Sequence, residues 1–131
     1  MKVITKIAFV VLIVTFSINA QAQKSSWVAP KNADAIENPL KGNTDAIKKA
    51  KKLYASMCVI CHGNKGKGDG IAGAALSPKP ANFTSKKVQA QTDGAIFWKL
   101  TNGNAPMAAY KDILSEEQRW LLVNYIRTFK K

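Results

Sequence analysis

Five consecutive residues constrain this chain more than any other stretch: Cys58-Val59-Ile60-Cys61-His62. Two thiols three positions apart, followed directly by an imidazole, form the haem attachment signature C-x-x-C-H. On one turn of chain the two cysteines reach the two vinyl groups along one porphyrin edge and form thioethers. The next residue then lies under the ring, where a neutral imidazole nitrogen binds iron. The chain has 131 residues, and these are its only two cysteines and its only histidine. A structural zinc site needs four ligands, and no other Cys or His completes one here. A thioredoxin-like redox pair needs a βαβ pattern around it, and the flanking residues show none. What remains is one covalent haem c held through Cys58 and Cys61, with His62 as an iron ligand.

The first residues bear on where such a site is made. Lys2 and Lys6 precede the apolar run Ile7 to Val14, which fades through Thr15 to Ile18. Ala20-Gln21-Ala22 then supplies a small-residue cleavage site. The run is short for a bilayer span, which needs about 20 residues. Residues 1–22 therefore read as a secretory signal, with an uncleaved membrane anchor as the alternative. Export suits thioether attachment, so the expected location is the periplasm.

Setting aside Lys2 and Lys6 leaves 18 Lys and Arg against 8 acids, a formal +10 on one domain-sized chain. Basic proteins bind nucleic acid, anionic lipid or acidic proteins. Export and the scattered lysines argue against nucleic acid. An acidic redox partner fits better, since complementary charge raises encounter rates.

The elements are read from periodicity and caps. Residues 23–43 carry Pro30, Pro39, Gly42 and several Asn. They are expected to form an extension without regular structure, either lying on the domain with Trp27 or Leu40 in a groove, or disordered. A helix begins near Thr44, which can cap it. Ile47, Ala50, Leu53, Tyr54 and Met57 form its apolar stripe, and that stripe runs into Cys58. A second helix fits 92–102, capped by Thr92 or Asp93 and ended by Gly103. A third fits 116–129 behind the capping box Ser115-Glu116-Glu117-Gln118. No stretch alternates as a strand would, so the fold class is all-α.

Between the first two helices lie Gly63, Gly66, Gly68, Gly70 and Gly73, then Pro78 and Pro80. Gly66-Lys67-Gly68-Asp69-Gly70 lacks the full phosphate-loop pattern. The glycines are expected to let backbone pass close to the porphyrin. A proline carbonyl after them would accept a hydrogen bond from the second nitrogen of His62, fixing its tautomer. For the other face of the iron the chain offers methionine or lysine. Met1 leaves with the signal, and Met57 is tethered on the His62 side. Met107 therefore remains, in the turn-rich Asn102-Gly103-Asn104-Ala105-Pro106-Met107.

The run 44–129 resembles the class I c-type cytochromes, particularly the small bacterial monohaem type. The matching stretches are Leu53-Tyr54 before Cys58–Gly63, Gly66 to Gly70, Pro78 to Phe83, Gly94 to Trp98, Asn102 to Met107, and Glu117 to Arg127. The resemblance implies a cytochrome c-like fold of three to five helices around one haem, over residues 44–131. It implies that the first and last helices cross through Tyr54 and Trp120–Tyr125, and that His62 and Met107 are proximal and distal ligands. It also implies that Pro80, rather than Pro78, supplies the carbonyl to His62, and that Trp98, Asn102 and Tyr110 face the propionates. Where many relatives have Met-Pro, this chain has Pro106-Met107-Ala108. The function so implied is a non-catalytic, monomeric carrier of single electrons for partners such as a terminal oxidase or a dehydrogenase. Two alternatives are a fixed cytochrome subunit of a larger complex, and a haem enzyme or gas-binding protein with a labile sixth ligand.

Overall fold

The computed structural model describes residues 27–131; the signal expected over 1–22 lies outside them. Helix α1 spans Thr44–Met57. Its cap is Asn43 rather than Thr44: the Asn43 side chain accepts from Ala46 N at 3.1 Å, which places Thr44 inside the first turn. A single turn, α2 (Val59–His62), follows directly. Helix α3 is another single turn, Lys86–Gln89, capped by Ser85. Helix α4 (Asp93–Asn102) is capped by Thr92 Oγ1, and α5 (Glu116–Arg127) by the reciprocal Ser115–Gln118 box. The expected end of α5 at 129 falls short by two residues, because the chain leaves the helix after Arg127 through turns that keep Phe129 against the core. Among the described residues there are five α-helices and no named strand; a lone bridge joins Asn104 to Met107.

Helices α1 and α5 pack against each other, and α4 packs on α5. Their shared core is aromatic. Tyr54 from α1 meets Tyr125 and Phe129, with ring centroids 4.9 and 5.4 Å apart. Phe97 of α4 stacks on Trp120 of α5 at 3.9 Å. Tyr54, Trp120, Leu122 and Val123 are essentially sealed from solvent. Aromatic side chains of this size bury large apolar areas and so hold α1, α4 and α5 together, beside the aliphatic residues of the same core. This is the all-α arrangement the sequence implies.

The extension is more ordered than its sequence suggests. Residues Lys31–Ala35 form a 3-10 helix against α4, and Leu40 packs on the core. Trp27 is half-buried beneath Lys99, whose Nζ lies 5.4 Å from the ring centroid. The ties are side-chain bonds invisible to periodicity. Asn38 Nδ2 donates to Asp93 at 2.8 Å and to Asn124 at 2.7 Å, and Asn124 Nδ2 donates to Leu40 O at 2.7 Å. Gly94 is where the strap crosses α4: a Cβ there would lie 2.7 Å from Ile36 O and closer still to Ala33 O. Among the described residues no helix is long and apolar enough to cross a membrane.

Candidate functional site

The end of α1 fixes the start of the site. Cys58 N donates to Tyr54 O at 2.9 Å. Cys58 O then accepts from Cys61 N and His62 N, which forces the motif into one turn of helix. That turn brings both thiols and the imidazole onto one short segment. Gly63, at φ +75°, ends it with its N–H on Val59 O. The Tyr54 hydroxyl donates to Gly63 O at 2.8 Å within the core, locking the turn to α1. Burial, with the nearby Cys58 thiol second, pushes the Tyr54 phenol pKa up, so it stays a donor.

The glycine loop then folds back over the motif's own backbone. Gly68 N donates to His62 O, Gly70 N to Cys61 O and Ala72 N to Ile60 O, at 2.9, 3.1 and 2.9 Å. A Cβ on Gly70 would lie 2.5 Å from Val59 O and 2.6 Å from Cys61 C. The expected role of these glycines, passing a porphyrin, is thus joined by a nearer one: they let the loop lie against the carbonyls of residues 59–62. All non-proline backbone groups need such partners when buried.

His62 is buried and stacks on Phe83, with centroids 4.3 Å apart and planes 14° apart. Its Nδ1 lies 3.1 Å from Ala81 O. Here the expectation for Pro80 is corrected: the partner carbonyl belongs to Ala81, one residue on, and Pro78 is not the partner either. The physical reason lies in Gly68, against which the Pro80 carbonyl oxygen is packed, so the next carbonyl is the one that faces the imidazole. With Nδ1–H donating to Ala81, the Nε2 lone pair is left for a ligand. Burial lowers the His62 pKa, and the Ala81 bond only partly opposes this. The ring is therefore neutral, as metal ligation requires.

Both cysteines are free thiols. Cys58 belongs to the core cluster, and burial, helped by Cys61, pushes its pKa up to about 12. Among the described residues no three His, Cys, Asp or Glu side chains converge as a bare ion would need. A planar group spread along the turn suits this donor set, because it takes the two sulfurs at its edge and the imidazole beneath. The residues present fit a haem c.

Met107 sits half-buried against the same core cluster that contains Cys58. Its N–H and C=O pair with those of Asn104 at 2.9 and 3.0 Å, closing a tight turn. Tyr110, three residues on, donates to Met57 O at 3.3 Å, so the loop bearing Met107 is tied to the residue before Cys58. Asn102 bonds back to Trp98 O within α4. Sequence reasoning missed Ala81, Phe83 and the Asn38–Asp93–Asn124 cluster. The first two lie in the quoted run Pro78 to Phe83, and only geometry tells them apart from Pro80.

The family model described as cytochrome c oxidase, cbb3-type, subunit III, matches residues 45–126. Two solved structures are similar. One is the KustC0563 c-type cytochrome, with TM-score 0.54 and 29% identity over 63% of this chain and 98% of that one. The other is the Kuenenia stuttgartiensis reducing HAO-like protein complex Kustc0457/Kustc0458, with TM-score 0.63 and 27% identity over 71% of this chain. The match spans 47% of that second chain, about half its length. No curated protein matches.

Proposed function

The chain is a small c-type cytochrome that belongs to the cbb3-type cytochrome c oxidase subunit III family, and we propose that it is an exported carrier of single electrons with His62/Met107-ligated iron. Bound haem c supplies an iron that gains and loses one electron at a time. Cys58 and Cys61 would hold it through two thioethers. His62 offers Nε2 because Nδ1–H is committed to Ala81 O. That single bond, beside two free thiols, is the observation that carries the reading. Met107 would close the opposite face, raising the reduction potential and keeping small molecules off the iron.

The surface beside the motif suits a transient partner. Ile60 and Ile71 are 57% and 84% exposed, and the Ala72 N–H bond to Ile60 O brings their segments together. Lys65, Lys67 and Lys79 are exposed in the same loops. A small apolar centre with cationic neighbours favours brief docking to an acidic redox protein, such as a dehydrogenase or a terminal oxidase. The periplasm is the compartment that the 1–22 signal supports. The likeness to a chain of an HAO-like complex favours a second reading, a fixed electron-transfer subunit.

Carbon monoxide tests the closed site. The reduced protein should bind it poorly at neutral pH; ready binding means an open sixth position and ends the carrier reading. The salt dependence of electron exchange separates carrier from subunit. A free carrier loses rate steeply as ionic strength rises, whereas a subunit stays with its complex in high salt.

A further inference from the structure

One buried cation has no part in the site as described. Arg119, in the first half of α5, is only 9% exposed. The ion pairs among the described residues are Lys48–Asp45 and Arg127–Asp93, so no carboxylate answers its charge there. Its Nη1 instead donates to Leu114 O at 2.9 Å and Lys111 O at 3.2 Å. Its Cζ lies 5.2 Å from the centre of the Phe97 ring, and Phe97 is itself stacked on Trp120. Its Nε has no partner. A buried guanidinium without a counter-ion is expensive, and here the two carbonyls and the Phe97 ring are what it has in compensation.

What it holds is the second half of the loop between α4 and α5. Both carbonyls belong to that loop, which carries Met107 four residues before Lys111. Between its two capped ends the loop has three other outward ties: Tyr110 N to Leu100 O, Lys111 N to Thr101 O, and the Tyr110 hydroxyl to Met57 O. The first two fix it to α4 and the third to α1. Apart from Gln118, whose side chain accepts from Ser115 N at the cap itself, Arg119 is the α5 side chain that ties this loop, and its bond to Lys111 O reaches nearer to Met107. The planar guanidinium lies on a ring face while its one terminal nitrogen bonds both carbonyls; a lysine ammonium could reach carbonyls but has no plane to stack.

We propose that Arg119 is a positioning residue for the iron site: it sets how firmly the loop presents Met107, and therefore how readily another ligand displaces that sulfur. This rests on Met107 being the distal ligand. An exogenous ligand binds only where Met107 has swung away, so its apparent affinity reports the open fraction of the loop.

The test uses the full chain matured with haem, and imidazole as the competing ligand. Four variants are compared: Arg119→Gln, Arg119→Lys, Met107→Ala, and Asn38→Ala as a destabilised control away from the loop. Arg119→Gln should bind imidazole about tenfold more tightly than the unaltered protein when oxidised, equal to about 1.4 kcal/mol of lost closure. Arg119→Lys should fall between them, and Asn38→Ala should stay within about twofold of the unaltered protein, well inside that span. If Arg119→Gln does not accumulate with haem, Arg119→Lys decides alone, by an affinity above the twofold band. Unchanged affinity in the Arg119 variants, while Met107→Ala loses the sulfur–iron absorption band, overturns the role of Arg119 and leaves the ligand intact. An equal shift in Asn38→Ala overturns it too, since general loosening would then suffice. If Met107→Ala keeps the band, the ligand reading itself fails and the proposal goes with it.

Discussion

Replacing Asn38 by alanine should loosen the domain far from the haem motif. The amide makes two donor bonds, to Asp93 Oδ2 at 2.8 Å and to Asn124 Oδ1 at 2.7 Å, and its oxygen accepts from Leu40 N at 2.9 Å. A hydrogen bond between neutral groups contributes about 1 kcal/mol, and one to a charged group about 1.5–3 kcal/mol. The Asp93 side chain is 20% exposed, so water replaces part of the second bond and the lower figure applies. Asn124 is 9% exposed and would have no such relief. The expected loss is about 2–3 kcal/mol, or a fall in melting temperature of about 10–20 °C for a domain of this size. Urea denaturation followed by far-ultraviolet circular dichroism measures it, because covalent haem stays with the chain on unfolding. A loss below about 0.5 kcal/mol, the range of an ordinary surface change, would refute the view that residues 27–43 are part of the folded unit.

Three further outcomes are expected. Gly70→Ala should cut the yield of protein with covalent haem, because the new Cβ collides with the Val59 and Ile60 carbonyls; haem content per mole of purified protein checks this, and an unchanged yield would contradict it. Asp93→Asn should destabilise at pH 7 but approach the unaltered protein near pH 3. Burial raises the Asp93 pKa, but bonds from Asn38 and Arg127 outweigh it and hold the pKa below its ordinary 3.8. The folded state thus binds the proton less readily than the unfolded chain, so this stabilisation is full above about pH 4 and is lost as pH falls through the folded pKa; urea midpoints across pH 3–7 read it. Replacing Ile60 and Ile71 together by serine should slow electron exchange with a partner while leaving the haem spectrum intact; equal rates would show that docking lies elsewhere.

The fold was readable where local chemistry carries it. The Ser115 box holds, and of the two cap candidates Thr92 is the one used, because side chains a few residues apart decide them; the stripe ending at Met57 holds at Ala50, Leu53, Tyr54 and Met57, while Ala46 rather than Ile47 is its buried first member. That residues 23–43 could lie on the domain was open to sequence reasoning, but their ties were not, because Asn38 finds Asp93 and Asn124 across 55 and 86 residues, and no periodicity encodes such a meeting. Gly94 shows the same limit: it matches a familiar run, yet its need for a bare Cα arises from Ala33 and Ile36 lying over it. In the site, the motif announces its own chemistry, whereas the choice of Ala81 over Pro80 depends on which way one peptide faces. Arg119 looks in sequence like any exposed arginine early in a helix, and only its burial marks it out.

The central claim is that His62 and Met107 close one covalently attached haem between them. The most direct measurement is the absorption spectrum of the purified oxidised and reduced protein, recorded beside Met107→Ala. The account predicts low-spin haem c in both redox states, with a weak long-wavelength sulfur–iron band in the oxidised form that disappears in Met107→Ala. A high-spin oxidised spectrum without that band, or one identical in the variant, would contradict it.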